Sequence, residues 1–492
     1  MKKLYAFGEK ALYGLWESGL LNNILTTQNG DRIIVLDYGS HDHDLDGPDY
    51  KNAKLQIGGL TFNGDIEIDT NYQDWITHGH NCDPKYNSVI LHLFLNNKGR
   101  SYFVSNKEGR SIDSVCLADY ITQKDLDRFN LNQEDYSNYV ASIKCHRKNI
   151  KVEEKLKSDF VKELGIIRFQ KKCDRIYNRL KELAFLKELH LKEPVTGYDL
   201  SESFHKREFA YTDFQSHDLW NQLFYELLFE ALGYGKNKQI MLSLSQEVTL
   251  SFIGQIKGEN DSSFVILSLL LMVAGLIPKD DEIHSDDSME YIRRIRNDWD
   301  NLTEKYDGRM FNETDWQFFR SRPHNFPTIR LAGGAVIVQR LLYKNLIEKI
   351  LRIFNNTDDS QVIVKLIRSL FIIKAEGFWI NHFTFEKPAR ENLNYFIGAN
   401  RADEIIVNVL FPFLSVFSEV HGNKELSKKV FLIYGAYQQA EENSIITRVS
   451  EGLSIQHLIC SSVMSQGMIE LHKSYCSKSR CGECKIGKAI VT

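Results

Sequence analysis

The apolar positions follow two regimes along the chain. In the first they alternate or form short blocks; in the second they recur at helical spacing. Lys54-Leu55-Gln56-Ile57 alternates, Gly58-Gly59 supplies a tight turn, and Thr61 to Asp69 alternates again. That pattern predicts a β-hairpin, because side chains point to opposite faces of a strand with period two. Asp65, Glu67 and Asp69 then share one face, while Ile66 and Ile68 occupy the other. Arg32 to Leu36 reads as a buried strand, and Val89 to Leu95 is the strongest strand in the chain. Ser101 to Ser105 is a further candidate strand. Ahead of them Leu4, Phe7, Ala11, Leu12, Leu15 and Trp16 form a helical stripe, closed by Glu17 before Ser18-Gly19.

Residues 1–115 therefore read as an α/β domain of one helix and four or five strands. From about 118 to 193 the chain is polar, charged and helical, and Pro194 to Gly197 breaks it. Helical stretches then follow one another from Leu219 to His472, several ended by Gly233, Pro278, Pro323, Pro327 or Gly422. The fold class expected is α+β. A small mixed sheet (1–115) is followed by a charged helical connector (116–200), a large all-α body (201–460) and a short metal-binding tail (461–492).

Composition narrows the class of protein only a little. The chain has 492 residues and is 43% hydrophobic, enough for a sizeable core. A net charge of -4 neither supports nor excludes a nucleic-acid partner, since a basic face can sit on a neutral protein. The most apolar segment, Ser263 to Ile277, stops at Pro278, short of the roughly 20 residues that span a bilayer. The N-terminus has no apolar stretch or cleavage pattern of a signal peptide. Eight cysteines are too few for a disulfide framework at this length, and Cys476, Cys481 and Cys484 crowd into the end. A metal site in a reducing, cytoplasmic compartment is the expectation.

Three carboxylates on one strand face repel one another and need water, basic groups or a cation. Pro48-Asp49 opens one strand and Glu67-Ile68-Asp69 lies on the next, behind a helix that ends in Glu17. This resembles the PD-(D/E)XK nucleases. Glu17, Asp49 and Glu67 would hold Mg²⁺ or Mn²⁺ through hard oxygen ligands. Asp69 stands where that pattern has a lysine, so the basic role moves to His78, His80, Lys85 or His92. His78-X-His80 is also potential transition-metal ligand material. The alternative reading is a solvated acidic face and a hydrogen-bonded strand histidine.

His472, Cys476, Cys481 and Cys484 fit a zinc set, with Cys460 as another fourth ligand and an iron–sulfur cluster as the alternative metal group. Free thiols in a tail are the bland reading. Arg168, Lys172, Arg175 and Arg179 recur on one helical face beside Lys171, and Arg320, Arg322 and Arg330 flank a Pro-rich loop. Either could contact a phosphate backbone; equally, they are a solvated face and a stiff interhelical loop.

Several further runs fall in order: Gly47-Pro48-Asp49-Tyr50, Gly64-Asp65-Ile66-Glu67-Ile68, His78-Gly79-His80, Asp83-Pro84-Lys85-Tyr86, Arg322-Pro323-His324-Asn325-Phe326-Pro327, Gly398-Ala399-Asn400-Arg401 and the terminal cysteines. Together they resemble the bacterial domain-of-unknown-function family 2851 over nearly the whole chain. That family usually reads Glu-Ile-His where this chain has Glu67-Ile68-Asp69. The resemblance implies no activity. The functional expectation is a metal-dependent, nuclease-like protein that binds or cleaves DNA or RNA, with Asp49, Glu67, Asp69, His80 and His92 at its centre. The rival expectations are an inactive nucleic-acid-binding or scaffold protein and a protein–protein assembly module.

Overall fold

A computed structural model describes residues 9–17, 21, 25–27, 30–41, 47–96, 103–121, 143, 145–146, 148–188, 202–256, 263–279, 281, 283, 285–318, 323–386, 388–389, 391–439, 444–458, 461–478 and 480–491. The chain forms two compact units, Met1–Ile143 and Lys144–Thr492.

The first unit is built on a mixed seven-stranded sheet. Its elements are α1 (Glu9–Glu17), β1 (Ile33–Asp37), β2 (Ser40–His41), β3 (Tyr50–Ile57), β4 (Leu60–Asn71), α2 (Asp74–Thr77), β5 (Val89–Asn96), β6 (Phe103–Ser105) and β7 (Ser111–Cys116). The strands run β1-β3-β4-β5-β7-β6, with β2 on the end of β3. β3 and β4 form the expected hairpin, and Gly58 and Gly59 turn it with φ of 56° and 90°. β4 pairs with β5 in parallel, and β5 with β7 likewise. A parallel pair needs a crossover, and residues 72–88 provide it, carrying α2 and the turn Pro84–Tyr86 over one face.

The alternation in β4 and β5 sorts the two faces. Ile66, Ile68, Leu91, Leu93 and Leu95 pack with Leu12, Leu15 and Trp16 of α1. On the opposite face Trp75, Tyr86, Val89, Val104 and Ile112 form a smaller cluster. Asp65, Glu67 and Asp69 are buried, not solvated. A bulge at Asn52, whose φ is 55°, shifts the register between Tyr50 and Ala53. It lets the Asn52 backbone N–H donate to Asp65 Oδ1 at 3.0 Å, while Lys51 Nζ donates to Oδ2 at 3.0 Å. Asp65 is thus compensated locally, and Glu67 and Asp69 turn to other partners.

The second unit is helical. Its spine is the 35-residue helix Glu154–Glu188, which buries Phe160, Leu164, Phe169, Ile176 and Leu180. The helices His217–Leu232, Phe411–Val420 and Ser462–Leu471 pack against it. Within the segment 116–200, the spine contributes Phe169, Cys173, Ile176, Leu180 and Ala184 to the main core. Spine and Ser462–Leu471 cross through a pair of glycines. A Cβ on Gly165 would lie 2.1 Å from Val463 O, and one on Gly467 would lie 1.9 Å from Val161 O. A small ladder joins Ile373–Lys374 to Tyr395–Ile397. Among the described residues no helix is long and apolar enough to cross a membrane.

Candidate metal centre

The site lies on the sheet face covered by the crossover. Glu67 and His92 are register partners on β4 and β5, and His92 and Ser114 on β5 and β7, so their side chains project side by side. His92 is fully buried. Burial pushes its imidazole pKa down to about 3, which keeps the ring neutral. Its Nε2 lies 3.2 Å from Asp69 Oδ2 and its Nδ1 lies 3.1 Å from Ser114 Oγ. A carboxylate only accepts, so the ring proton sits on Nε2 and the Ser114 hydroxyl donates to Nδ1. Asp69, 1% exposed, also faces His78, whose Nδ1 is 3.3 Å from Oδ1.

His80 comes from the crossover itself. Gly79, at φ 78°, turns the chain after α2 and returns His80 to the sheet. Its ring stacks on Tyr86 at 4.0 Å and meets Trp75 edge-on at 5.4 Å. Trp75 is itself held by an Nε1–H bond to Ser105 O of 3.0 Å. His80 Nδ1 is 3.5 Å from Glu67 Oε1 and 3.8 Å from Asp69 Oδ2. Glu67, Asp69 and His80 are all buried, and one ligand atom from each lies within 4.8 Å of the others. Donors bonded to one cation at about 2.0–2.2 Å stand roughly 3–3.5 Å apart, so a small inward movement closes this set on an ion. Two carboxylates and one imidazole suit Mn²⁺ or another borderline divalent ion better than an all-oxygen set would.

Among the described residues the ligand atoms that converge are those of Glu67, Asp69 and His80, rather than those of Glu17, Asp49 and Glu67. Glu17 is exposed and accepts from Tyr50 Oη at 3.0 Å. Asp49 is buried but works in the backbone. Its Oδ1 accepts from Tyr13 Oη at 2.7 Å and its Oδ2 from the Ile68 N–H at 2.9 Å. Its own N–H donates to Glu67 Oε2 at 3.0 Å. The Pro48-Asp49 turn therefore aims Glu67. Glu67 and Asp69 were readable on one face from the alternation of β4, and His80 and His92 were candidates whose placement the sequence left open. The support from Ser114 and Tyr86 was not readable, because their pairing depends on the crossover.

The basic stripe makes its pairs within the helical unit; Arg168, Lys172 and Arg179 are half-buried, while Lys171 and Arg175 keep 61% and 59% of their side chains exposed. Arg168 donates to Gln466 Oε1 at 2.8 Å, and Lys172 to Asn408 Oδ1 and Gln466 Oε1 at 2.6 and 2.7 Å. Arg175 clasps Glu230 at 2.7 and 2.8 Å, and Arg179 meets Glu226 at 2.7 Å. Lys171 pairs with Glu470 at 2.5 Å. Arg330 is buried in the helix Pro327–Tyr343, where Nη1 donates to Phe396 O at 2.8 Å and Nη2 to Asn325. Burial and the charge of Arg401 push its guanidinium down to about 9. Arg320, Arg322 and Cys460 lie outside the described residues. At the C-terminus His472 is half-buried and feels the charges of Arg448 and Lys473. Burial, with lesser contributions from Cys145, Cys484 and Cys481, pushes the Cys476 thiol up to about 12.

Fold and site together define an α+β protein with a carboxylate–imidazole centre on a mixed sheet and a large helical unit. Residues 9–189 and 205–444 match the family described as Protein of unknown function (DUF2851), and the chain belongs to that family. Comparisons with curated proteins and with solved structures find no match.

Proposed function

We propose that this protein is a metal-dependent phosphodiesterase acting on nucleic acid. The observation that carries the reading is the convergence of three buried donors, Glu67, Asp69 and His80, beside a strand that opens with Pro48-Asp49. Helix, strand, hairpin and parallel strand follow in the order that the nuclease resemblance implies. A divalent ion at the trio would polarise a phosphoryl oxygen and acidify bound water. Glu67 and Asp69 supply the negative charge, and His80 the third donor. His92 orients Asp69 from behind, and His78, 46% exposed, stands at the rim where a proton can pass to solvent. The trio replaces the expected Glu17–Asp49–Glu67 set, so Asp49 becomes a positioning residue.

A second reading, a nucleic-acid-binding protein without chemistry, is favoured by Asp69 at the position where related sites carry lysine. One experiment separates the two. Purified protein is incubated with single- and double-stranded DNA and RNA in Mn²⁺ or Mg²⁺, beside Glu67→Gln. The phosphodiesterase reading expects cleavage that favours Mn²⁺ and falls about 100-fold or more in the variant. Saturable binding with no cleavage of any substrate supports the second reading. Cleavage that Glu67→Gln leaves intact rejects this site.

A further inference from the structure

The helical unit holds a cavity of about 370 Å³, within the roughly 300–1,000 Å³ of sites that take small molecules. It is walled by the starts of the helices Ser263–Val273 and Asp286–Asp300, by the helix Pro327–Tyr343 and by the turn Gly377–Ile380. One wall is aromatic. Phe378 stacks on Tyr291 with ring centres 4.2 Å apart, and Phe264 and Trp379 meet Tyr291 edge-on at 5.4 and 5.8 Å. The Trp379 Nε1–H donates to Tyr291 Oη at 2.9 Å, which fixes the two rings against each other. The buried Trp379 anchors this wall in the main core.

The remainder of the lining is acidic. Asp287, Glu290, Tyr291 and Arg294 recur at i, i+3, i+4 and i+7, so the helix Asp286–Asp300 presents them on one face. Glu376 joins them from the turn. Gly377, at φ 60°, bends the chain between Glu376 and Phe378, and both line the cavity. Glu290 and Arg294 have the helical spacing at which opposite charges pair. Arg294 lies over Phe264 instead, its guanidinium carbon 4.5 Å from the ring centre. Among the described residues none of the three carboxylates makes an ion pair. The cavity thus sets three unpaired carboxylates against one guanidinium, and that guanidinium already rests on an aromatic ring.

We propose that this cavity binds a small organic cation of the alkylammonium class, with its charge toward the carboxylates and its alkyl groups against the aromatic wall. Ring faces attract cations through their quadrupole, and more strongly where water is partly excluded. The carboxylates add an attraction that a neutral ligand of the same shape does not feel. The same charges repel phosphates and other anions. The site is built within the second unit and does not rest on the Glu67–Asp69–His80 centre.

The test is a calorimetric titration of the full chain in metal-free buffer with choline, tetramethylammonium and spermidine, and with the neutral alcohol in which carbon replaces the choline nitrogen. It is repeated with the double variant Glu290→Gln/Glu376→Gln and with Glu67→Gln. Glu290 and Glu376 are exposed, so the double variant leaves the core intact. At least one of the three cations should saturate a single site in the millimolar range or below. The double variant should weaken that binding about 10-fold or more, the neutral alcohol should bind at least about 10-fold more weakly than that cation, and Glu67→Gln should bind it as the wild type does. Failure of all three cations to saturate overturns the proposal. So does a neutral alcohol that binds as tightly as the tightest cation, or a double variant that binds unchanged. Loss of binding in Glu67→Gln overturns it too, since the cation would then sit at the carboxylates of the first unit.

Discussion

Asp69 shows how one residue can be read correctly for its place and incompletely for its role. Its position on the carboxylate face followed from alternation alone, and it is buried there. Three imidazoles, from His78, His80 and His92, surround it, and the neutral His92 ring donates to it where the nuclease pattern would place a lysine. Lys172 is the opposite case. Its spacing suggested an exposed cation, yet it is half-buried and donates to two amide oxygens. Desolvation, with Arg168 nearby, holds its pKa well below the ordinary lysine range. The unfolded chain then binds more protons than the folded one between the lowered value and about 10.4. The contribution of this group is therefore fully present above about 10.4 and lost as pH falls through the folded value. Urea unfolding of the wild type and Lys172→Met at pH 7 and pH 10 should show the wild type gaining on the variant as pH rises. An unchanged difference would mean that the ammonium is not desolvated.

At the scale of elements, what the sequence could and could not reveal has a physical cause. The β3–β4 hairpin was legible because its turn and both alternations are local. The β4–β5 partnership was not, since a parallel pair is closed by a crossover whose course no local pattern fixes. That crossover is what delivers His80 and Tyr86. The long helix Glu154–Glu188 was legible as a charged helix, but its partners were not. Glu226, Glu230, Gln466 and Glu470 come from distant helices, and they convert a basic face into a seam. The seam also rests on the paired glycines at 165 and 467. Gly467→Ala places a methyl on Val161 O and forces the two helices apart, at a cost of about 1–3 kcal/mol. Thermal or urea unfolding measures it; a variant as stable as the wild type would show that the helices do not cross this closely.

At the scale of the molecule, the candidate centre belongs to the first unit. It is a carboxylate–imidazole set on a sheet, suited to a labile divalent ion such as Mn²⁺. The most direct check is a calorimetric titration of Mn²⁺ into the full chain, repeated with Asp69→Asn and His80→Ala. The account predicts one saturable site in the wild type, lost or strongly weakened in both variants, whose far-ultraviolet circular dichroism stays unchanged. Variants that bind Mn²⁺ as the wild type does would contradict the assignment of Glu67, Asp69 and His80 as the metal centre.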